Sequence, residues 1–365
     1  MKLALSSFNL PKNLTGGVEV HTWELAKALS HLDVEVHLFF ASSFDYEYLD
    51  PDTNVYLHSL RIPYWNKIDV MKRRIGLPIF NMKINNKVRN NEFDIFHSQN
   101  FDGIAFLSSN IPTIITIHTV PFCRYVKSRK TLPKSILNTG LMYMEHIKCN
   151  LNRKKSKYIS VSEYVQKDLK RYYDIDSSVI PNGANVPDKV SKEIARSKLD
   201  ITNWGKVILF FSRITKEKGP HKLLDILDEQ DDTELLVAGD GPFLAGLREL
   251  IDERSLSHKV KLMGYVSPDM IKYIFSAADC FALPSDQIEG QPITILEAMS
   301  YGLPCYVTDS NWVPYYLRDF CFDGDLNIGI ANALKTGHKD ICVMTWKDVA
   351  KETKKVYRSV INTYD

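Results

Sequence analysis

The residues best suited to chemistry share one stretch, Ser285-Asp286-Gln287-Ile288-Glu289-Gly290-Gln291-Pro292-Ile293-Thr294-Ile295-Leu296-Glu297-Ala298-Met299. It follows a short apolar run, Cys280-Phe281-Ala282-Leu283-Pro284, that predicts a buried strand, and it enters a helical pattern that stops before Gly302. Proline is accepted in a first helical turn, where its missing N–H would be unpaired anyway. Pro292 therefore puts Glu289 and Gly290 at a predicted helix N-terminus, where backbone donors and the positive dipole end favour anions. Glu297 lies seven residues past Gly290, about two turns along the same helix. Such a corner offers amides to a diphosphate and carboxylates to hydroxyls, the groups that a nucleotide-sugar presents. Taken singly, either glutamate is most simply a solvated helix residue, so the other residues decide.

Phe210-Phe211-Ser212-Arg213-Ile214-Thr215-Lys216-Glu217-Lys218-Gly219 places Arg213 and Lys218 in a predicted loop after a strand. Two cations five apart beside a glycine suit a diphosphate clamp, Arg as a planar fork and Lys as a point charge. The plain alternative is a basic surface loop. It loses ground because this loop and the Glu289 corner are expected to open at one sheet edge. Ile115-Thr116-Ile117-His118-Thr119 ends an apolar strand in a histidine, which suits donation to a substrate hydroxyl; a lone histidine is also a common partnered rim residue. Thr15-Gly16-Gly17-Val18-Glu19-Val20-His21 follows the first strand and opens a helix, so Gly16 and Gly17 either let a ligand approach the backbone or make a tight turn. The loop lacks Gly-x-Gly-x-x-Gly, which weakens a dinucleotide-binding reading. Ala238-Gly239-Asp240-Gly241-Pro242 turns from a strand into a helix, and Gly264-Tyr265-Val266-Ser267 follows another strand, where backbone groups of Tyr265 and Val266 suit a nucleobase border.

Two Asp-x-Asp triplets, Asp174-Ile175-Asp176 and Asp323-Gly324-Asp325, resemble divalent-metal motifs, but a chain with 44 acidic residues contains such triplets by chance. No zinc-type spacing exists. Net charge is +2, divided unevenly: residues 1–185 hold 24 Lys+Arg against 17 Asp+Glu, and residues 186–365 hold 22 against 27. Basic residues bunch in Arg61–Arg89 and in Arg124–Lys157, the latter interleaved with Leu132, Ile136, Leu137, Leu141, Met142, Tyr143 and Met144. Basic–apolar stretches fit an anionic membrane surface, with a merely solvated face as the alternative. No nucleic-acid-binding module is present.

At 365 residues the chain is long enough for two ordinary domains. Short β-rich runs alternate with helical patterns, which predicts parallel sheets with crossover helices. Strands are expected at Lys2–Ser7, Val34–Phe40, Val55–Leu60, Phe93–Ser98, Thr113–His118 and Tyr158–Ser162, then at Val207–Ser212, Leu235–Gly239, Val260–Met263, Cys280–Leu283 and Cys305–Thr308. Two successive series predict two doubly wound α/β, Rossmann-like domains facing across a cleft, with ligands at the carboxyl ends of strands. The changeover is expected at Ile180-Pro181-Asn182-Gly183-Ala184-Asn185-Val186-Pro187. This gives a first domain over 1–185 and a second over 186–344. Residues 345–365 form an amphipathic helix that either crosses back to the first domain or lies on the second. No run of about 18 apolar residues occurs, so no spanning helix is expected, and Met1–Ser7 reads as a strand rather than a cleavable signal. Cys123, Cys149, Cys280, Cys305, Cys321 and Cys342 are scattered, with no Cys-x-x-Cys pair, as in a reduced cytosolic setting.

Together these pieces resemble the family 4 retaining glycosyltransferases of the GT-B fold, over nearly the whole chain. The ordered set is Gly16-Gly17-Val18-Glu19-Val20-His21, the His118 strand end, Val161-Ser162-Glu163, Ile180-Pro181-Asn182-Gly183, Ser212-Arg213-Ile214 with Lys218-Gly219, Gly239-Asp240-Gly241-Pro242, Glu289 with Glu297-Ala298-Met299, and Gly302-x-Pro304. The resemblance implies that Arg213 and Lys218 hold the donor diphosphate and Glu297 the ribose hydroxyls. It implies that Glu289 and the Gly290–Gln291 amides hold the transferred sugar, that His118 contacts a sugar hydroxyl near the reaction centre, and that Gly16 and Gly17 lie near the phosphates and acceptor. Two departures bear on sugar and acceptor choice: Thr119 stands where family members commonly have Asp, and Asp309-Ser310-Asn311-Trp312 stands where many have a Gly-Gly pair and an acid.

The expectation is a metal-independent hexosyltransferase without a cofactor, the nucleoside-diphosphate sugar being a substrate. Its acceptor would be a glycan or lipid-linked hydroxyl, and its place the cytoplasm or the inner membrane surface. Ser267 and Pro268, rather than an acid, follow Gly264, which favours UDP over GDP. A nucleotide-sugar 2-epimerase of the same fold, and a non-catalytic sugar-nucleotide or membrane-binding protein, are the alternatives.

Overall fold

A computed structural model describes residues 1–9, 16–63, 75–90, 92–100, 111–120, 156–229, 232–309 and 312–363. The chain forms two compact units, Met1–Gly183 with Trp346–Asp365, and Ala184–Thr345.

In the first unit the strands are β1 (Lys2–Ser6), β2 (Glu35–Ser42), β3 (Tyr46–Asp50), β4 (Val55–Arg61), β5 (Ile95–Gln99), β6 (Thr113–Ile117), β7 (Ser156–Ser160) and β8 (Ser178–Val179). They form one sheet in the order β3-β4-β2-β1-β5-β6-β7-β8. Its central strands are buried on both faces and read as continuous apolar runs, as a parallel sheet covered by helices requires. The expectation of wholly parallel pairing needs one correction: β3 pairs antiparallel with β4 at the sheet edge. Its sequence, Tyr-Glu-Tyr-Leu-Asp, is mostly exposed, and charge on such an edge discourages pairing with another chain.

The described helices of this unit are α1 (Gly17–Ser30), α2 (Leu77–Asn90) and α3 (Glu163–Tyr173). The second unit contains α4 (Lys192–Lys198), β9 (Lys206–Phe211), α5 (Leu224–Glu229), β10 (Thr233–Ala238), α6 (Leu244–Glu253), β11 (Val260–Gly264), α7 (Ile271–Ala277), β12 (Cys280–Leu283), α8 (Ile293–Ser300), β13 (Cys305–Val307), β14 (Cys321–Phe322) and α9 (Leu326–Thr336). Its sheet runs β11-β10-β9-β12-β13-β14, all parallel. Each unit has its own apolar core.

The terminal helix α10 (Trp346–Ile361) belongs to the first unit. Trp346, Val349, Ala350, Thr353, Tyr357 and Val360 form its buried stripe at helical spacing. Lys354 Nζ donates to Leu32 O just past α1, and Tyr357 bonds His97 Nδ1 at 2.6 Å. Residues 124–155 lie outside the described residues, and with them most of the second basic stretch. In the first basic stretch, Lys83 and Lys87 pair with Asp45 and Glu47 at 3.3 and 2.7 Å, which ties α2 to the β3 edge. Among the described residues no helix is long and apolar enough to cross a membrane.

Candidate active site

Strand order places the site in the second unit. The chain runs outward from β9 to β10 and β11, then returns to the other side of β9 at β12. Loops leaving the carboxyl ends of β9 and β12 therefore part in opposite directions, and such a switch point forms a crevice. Arg213 and Lys218 lie on the first loop, Glu289 to Gln291 on the second.

The two loops are joined by several bonds. Asp286 N donates to Glu217 O at 2.7 Å, and Lys222 Nζ to Pro284 O at 3.2 Å. Gly219, at φ +76°, is the crossing point: a Cβ there would stand 2.2 Å from Pro284 O. That explains a glycine in a left-handed position better than any sequence motif does. Lys218 Nζ meets Glu289 Oε1 at 2.7 Å, both side chains largely shielded from water. Ser285 Oγ donates to the same Glu289 oxygen at 3.1 Å and accepts from Gln287 N at 3.1 Å. The carboxylate is thus fixed through Oε1, and among the described residues Oε2 has no bond. Arg213 is exposed and makes no ion pair among the described residues, so its guanidinium is available to an anion.

Two neighbouring turns complete this edge. Gly239 N donates to Gly264 O at 2.8 Å, which brings the β10 and β11 exits together. At φ +127°, a Cβ on Gly239 would lie 2.0 Å from Ser212 O. Tyr265 is largely exposed while Val266 is buried beside it.

One sequence expectation about this corner needs correction. Helix α8 begins at Ile293, with Pro292 as its N-cap at φ −65°, ψ 121°, an extended conformation. Pro292 therefore precedes the helix rather than sitting in its first turn, and Glu289 and Gly290 lie in the turn before it. Glu289 is positioned by Ser285 and Lys218 rather than by the helix end. Glu297 sits half-buried in the second turn of α8.

In the first unit, Gly17 opens α1 and Gly16 is its N-cap. No atom lies within 4 Å of a Cβ built on Gly17, whereas one on Gly16 would meet Glu19 Oε2 at 2.5 Å. Among the described residues nothing crowds Gly17, and the contact at Gly16 is with the far end of the flexible Glu19 side chain. Thr15 lies outside the described residues.

His118 ends β6 and is 7% exposed. Its Nε2 bonds Gln99 Oε1 at 2.8 Å. With the Gln99 carbonyl oxygen facing it, Nε2 is the donor of this bond. Its ring packs edge-on against His21, centroids 4.6 Å apart. His21 Nδ1 bonds Asn182 Oδ1 at 2.8 Å, and its ring also meets Trp346. His97 lies one strand away, bonded to Thr116 and Tyr357. Burial disfavours imidazolium in all three, taking His21 down to about 4, His97 to about 3 and His118 well below the usual range.

Sequence reading gave no role to Ser285, Gln99, His21 or Asn182. A signal existed for Gln99. His97-Ser98-Gln99 is a polar run within a strand whose every residue is buried, and buried polar groups need partners. The Asp-x-Asp triplets have structural uses: Asp174 and Asp176 pair with Lys170, and Asp325 caps α9 by accepting from Ile328 N.

Residues 15–186 match the family described as Glycosyltransferase Family 4, and residues 191–324 match Glycosyl transferases group 1. The chain belongs to glycosyltransferase family 4. This family 4 chain is 28% identical, over 255 residues, to alpha-monoglucosyldiacylglycerol synthase of Streptococcus pneumoniae. That match covers 63% of this chain and 55% of the relative, so the chain spans about half the relative's length. Sucrose-phosphate synthase of Thermosynechococcus elongatus has the same fold, at TM-score 0.79 with 16% identity over the full length of both chains. The Anabaena protein HepE, solved with UDP-glucose, has it at TM-score 0.65 and 16% identity, covering 100% of this chain and 98% of that one. The fold of this family 4 glycosyltransferase is GT-B.

Proposed function

We propose that this family 4 chain transfers a sugar from a nucleoside-diphosphate donor to an acceptor hydroxyl, with retention of anomeric configuration. The observation that carries the reading is the Lys218–Glu289 pair at the β9–β12 switch point. It sets a cation for the diphosphate beside a carboxylate for the sugar hydroxyls. Departure of the diphosphate builds negative charge, which Arg213, Lys218 and the Gly290–Gln291 amides neutralise; preorganised charge of this kind is often the largest catalytic contribution. The leaving phosphate oxygen takes the acceptor proton as the new glycosidic bond forms. Glu289 is held by two donors through Oε1, so it orients hydroxyls through Oε2 rather than attacking carbon. Glu297 binds the ribose hydroxyls, and backbone groups at Tyr265 and Val266 border the base.

The donor is UDP-linked and the acceptor a lipid-linked hydroxyl. UDP-glucose in HepE and the name of the streptococcal relative support these two choices. The basic–apolar stretches of the first unit would bring the enzyme to an anionic membrane surface, and flotation with phosphatidylglycerol but not phosphatidylcholine vesicles checks that. Arg213 and Lys218 supply the cationic charge, so turnover should be equal in EDTA and in magnesium. The deciding experiment supplies UDP-sugars with membrane extract, reads products by mass spectrometry and reads anomeric configuration by NMR. An α-linked product from an α-donor is expected. Release of UDP without any glycosylated product, or an inverted product, would overturn the proposal.

A further inference from the structure

Gln99 is fully buried at the end of β5, and its side chain meets the one titratable group that the proposed reaction uses in the first unit. We infer that Gln99 is a positioning residue that fixes the tautomer of His118, so that His118 accepts a hydrogen bond from a substrate hydroxyl through Nδ1. This rests on the proposed transfer reaction only in naming that hydroxyl as a sugar's.

The Gln99 carbonyl lies 2.8 Å from Nε2, and in that orientation Nε2 carries the proton, while the Gln99 amide nitrogen is buried with no hydrogen-bond partner among the described residues. Asn100 Oδ1 accepts from the His118 backbone N at 3.1 Å, which holds the residue from the same strand end. On the α1 side the His21 ring closes against His118 at 4.6 Å. His21 is itself anchored by Asn182, beside the residue where the chain leaves this unit, and touches Trp346, where it returns. On β5, His97 is held by Thr116 of β6 and Tyr357 of α10. Among the described residues, the titratable groups around His118 are thus His21, His97 and Tyr357, all buried. The α1 carboxylate, Glu19, is engaged by Asn9. With no charged partner among the described residues, the buried imidazole stays neutral, and a neutral imidazole has one donor and one acceptor. Gln99 occupies the donor, so only the acceptor is left for substrate. A carboxamide suits this task because it gives direction without charge. A carboxylate in its place would hold imidazolium and convert Nδ1 into a donor.

The test compares Gln99→Glu and Gln99→Met with the wild type. Wild-type kcat should stay level from about pH 6.5 to about pH 8.5, because the buried imidazole does not titrate there. In Gln99→Glu, kcat should fall at least tenfold at the acid end and recover as the pH rises. Gln99→Met should lose kcat equally at every pH. Donor KM should change less than threefold in both, since the diphosphate contacts are elsewhere. Parallel pH profiles for wild type and Gln99→Glu would overturn the inference. Long-range 15N–1H spectra of the wild type at neutral pH give a reading that needs neither activity nor a folded variant. The Nε2–H tautomer of His118 is expected, and an Nδ1–H tautomer would refute the assignment. Absence of wild-type turnover would instead count against the proposed reaction and leave the tautomer measurement standing.

Discussion

Three buried neutral histidines, on α1, within β5 and just past β6, make the first unit sensitive to mild acid. Burial strips water from the imidazolium form, so a proton binds the unfolded chain before the folded one. His21, displaced from 6.5 to about 4, contributes stability that is fully present above pH 6.5 and lost as the pH falls toward 4. By linkage this shift amounts to about 3 kcal/mol. Each histidine protonated only in the unfolded chain adds about 1.4 kcal/mol per pH unit, so His21 and His97 together give about 2–3 kcal/mol between pH 6 and 5, and His118 acts in the same direction. Against a total stability of about 5–15 kcal/mol that loss is large. The window lies above the range in which most carboxylates titrate, so it isolates the histidines. Urea denaturation followed by circular dichroism at several pH values reads the slope directly. His97→Gln should reduce it by about 1.4 kcal/mol per unit. A wild-type stability that is the same at pH 6 and pH 5 would refute the reasoning, because it would mean that the rings are charged or solvated in the folded chain.

Further outcomes concern the switch-point loops and α1. Lys218→Ala leaves Glu289 shielded and without its cation, and should cost about 1–3 kcal/mol of stability in urea titration, less than a fully buried pair because some water reaches both groups. Gly219→Ala combines a left-handed conformation with a clash on Pro284 O, and should cost more than about 2 kcal/mol while weakening UDP binding, as calorimetry would show. Gly17→Ala meets open space and should keep its melting temperature, yet lower kcat/KM at least tenfold if substrate approaches the backbone there.

Where the sequence carried strong local signals, reading and structure agree. The apolar runs at β1, β6, β9, β10 and β12 were placed within two residues because a fully buried parallel strand is a continuous apolar run bounded by turn residues. β3 was not legible: Tyr46–Asp50 is mostly exposed and carries charge, so no period marks it, and its place depends on pairing with β4. The two-residue strands β8 and β14 are too short to leave any pattern. Pro292 misled because proline fits both the first helical position and the extended residue before it. The candidate site residues Arg213, Lys218 and Glu289 were legible as charged residues at strand exits. Their bonding was not, because the Lys218–Glu289 pair joins residues 71 apart. For the same reason Gln99 was invisible as the partner of His118, 19 residues away on the adjacent strand. The stripe of α10 could be read from its spacing, but the unit that it covers is decided by Tyr357 meeting His97, a contact across 260 residues.

The central claim is that a diphosphate is held by Arg213 and Lys218 at the β9–β12 exits. Isothermal titration of UDP into wild type, Arg213→Ala, Lys218→Ala and the double variant tests it most directly. The account predicts that each single change weakens binding at least tenfold, by about 1.4 kcal/mol or more, and that the double variant shows no measurable heat while its circular dichroism stays native. Equal UDP affinity in the wild type and a folded double variant would contradict it.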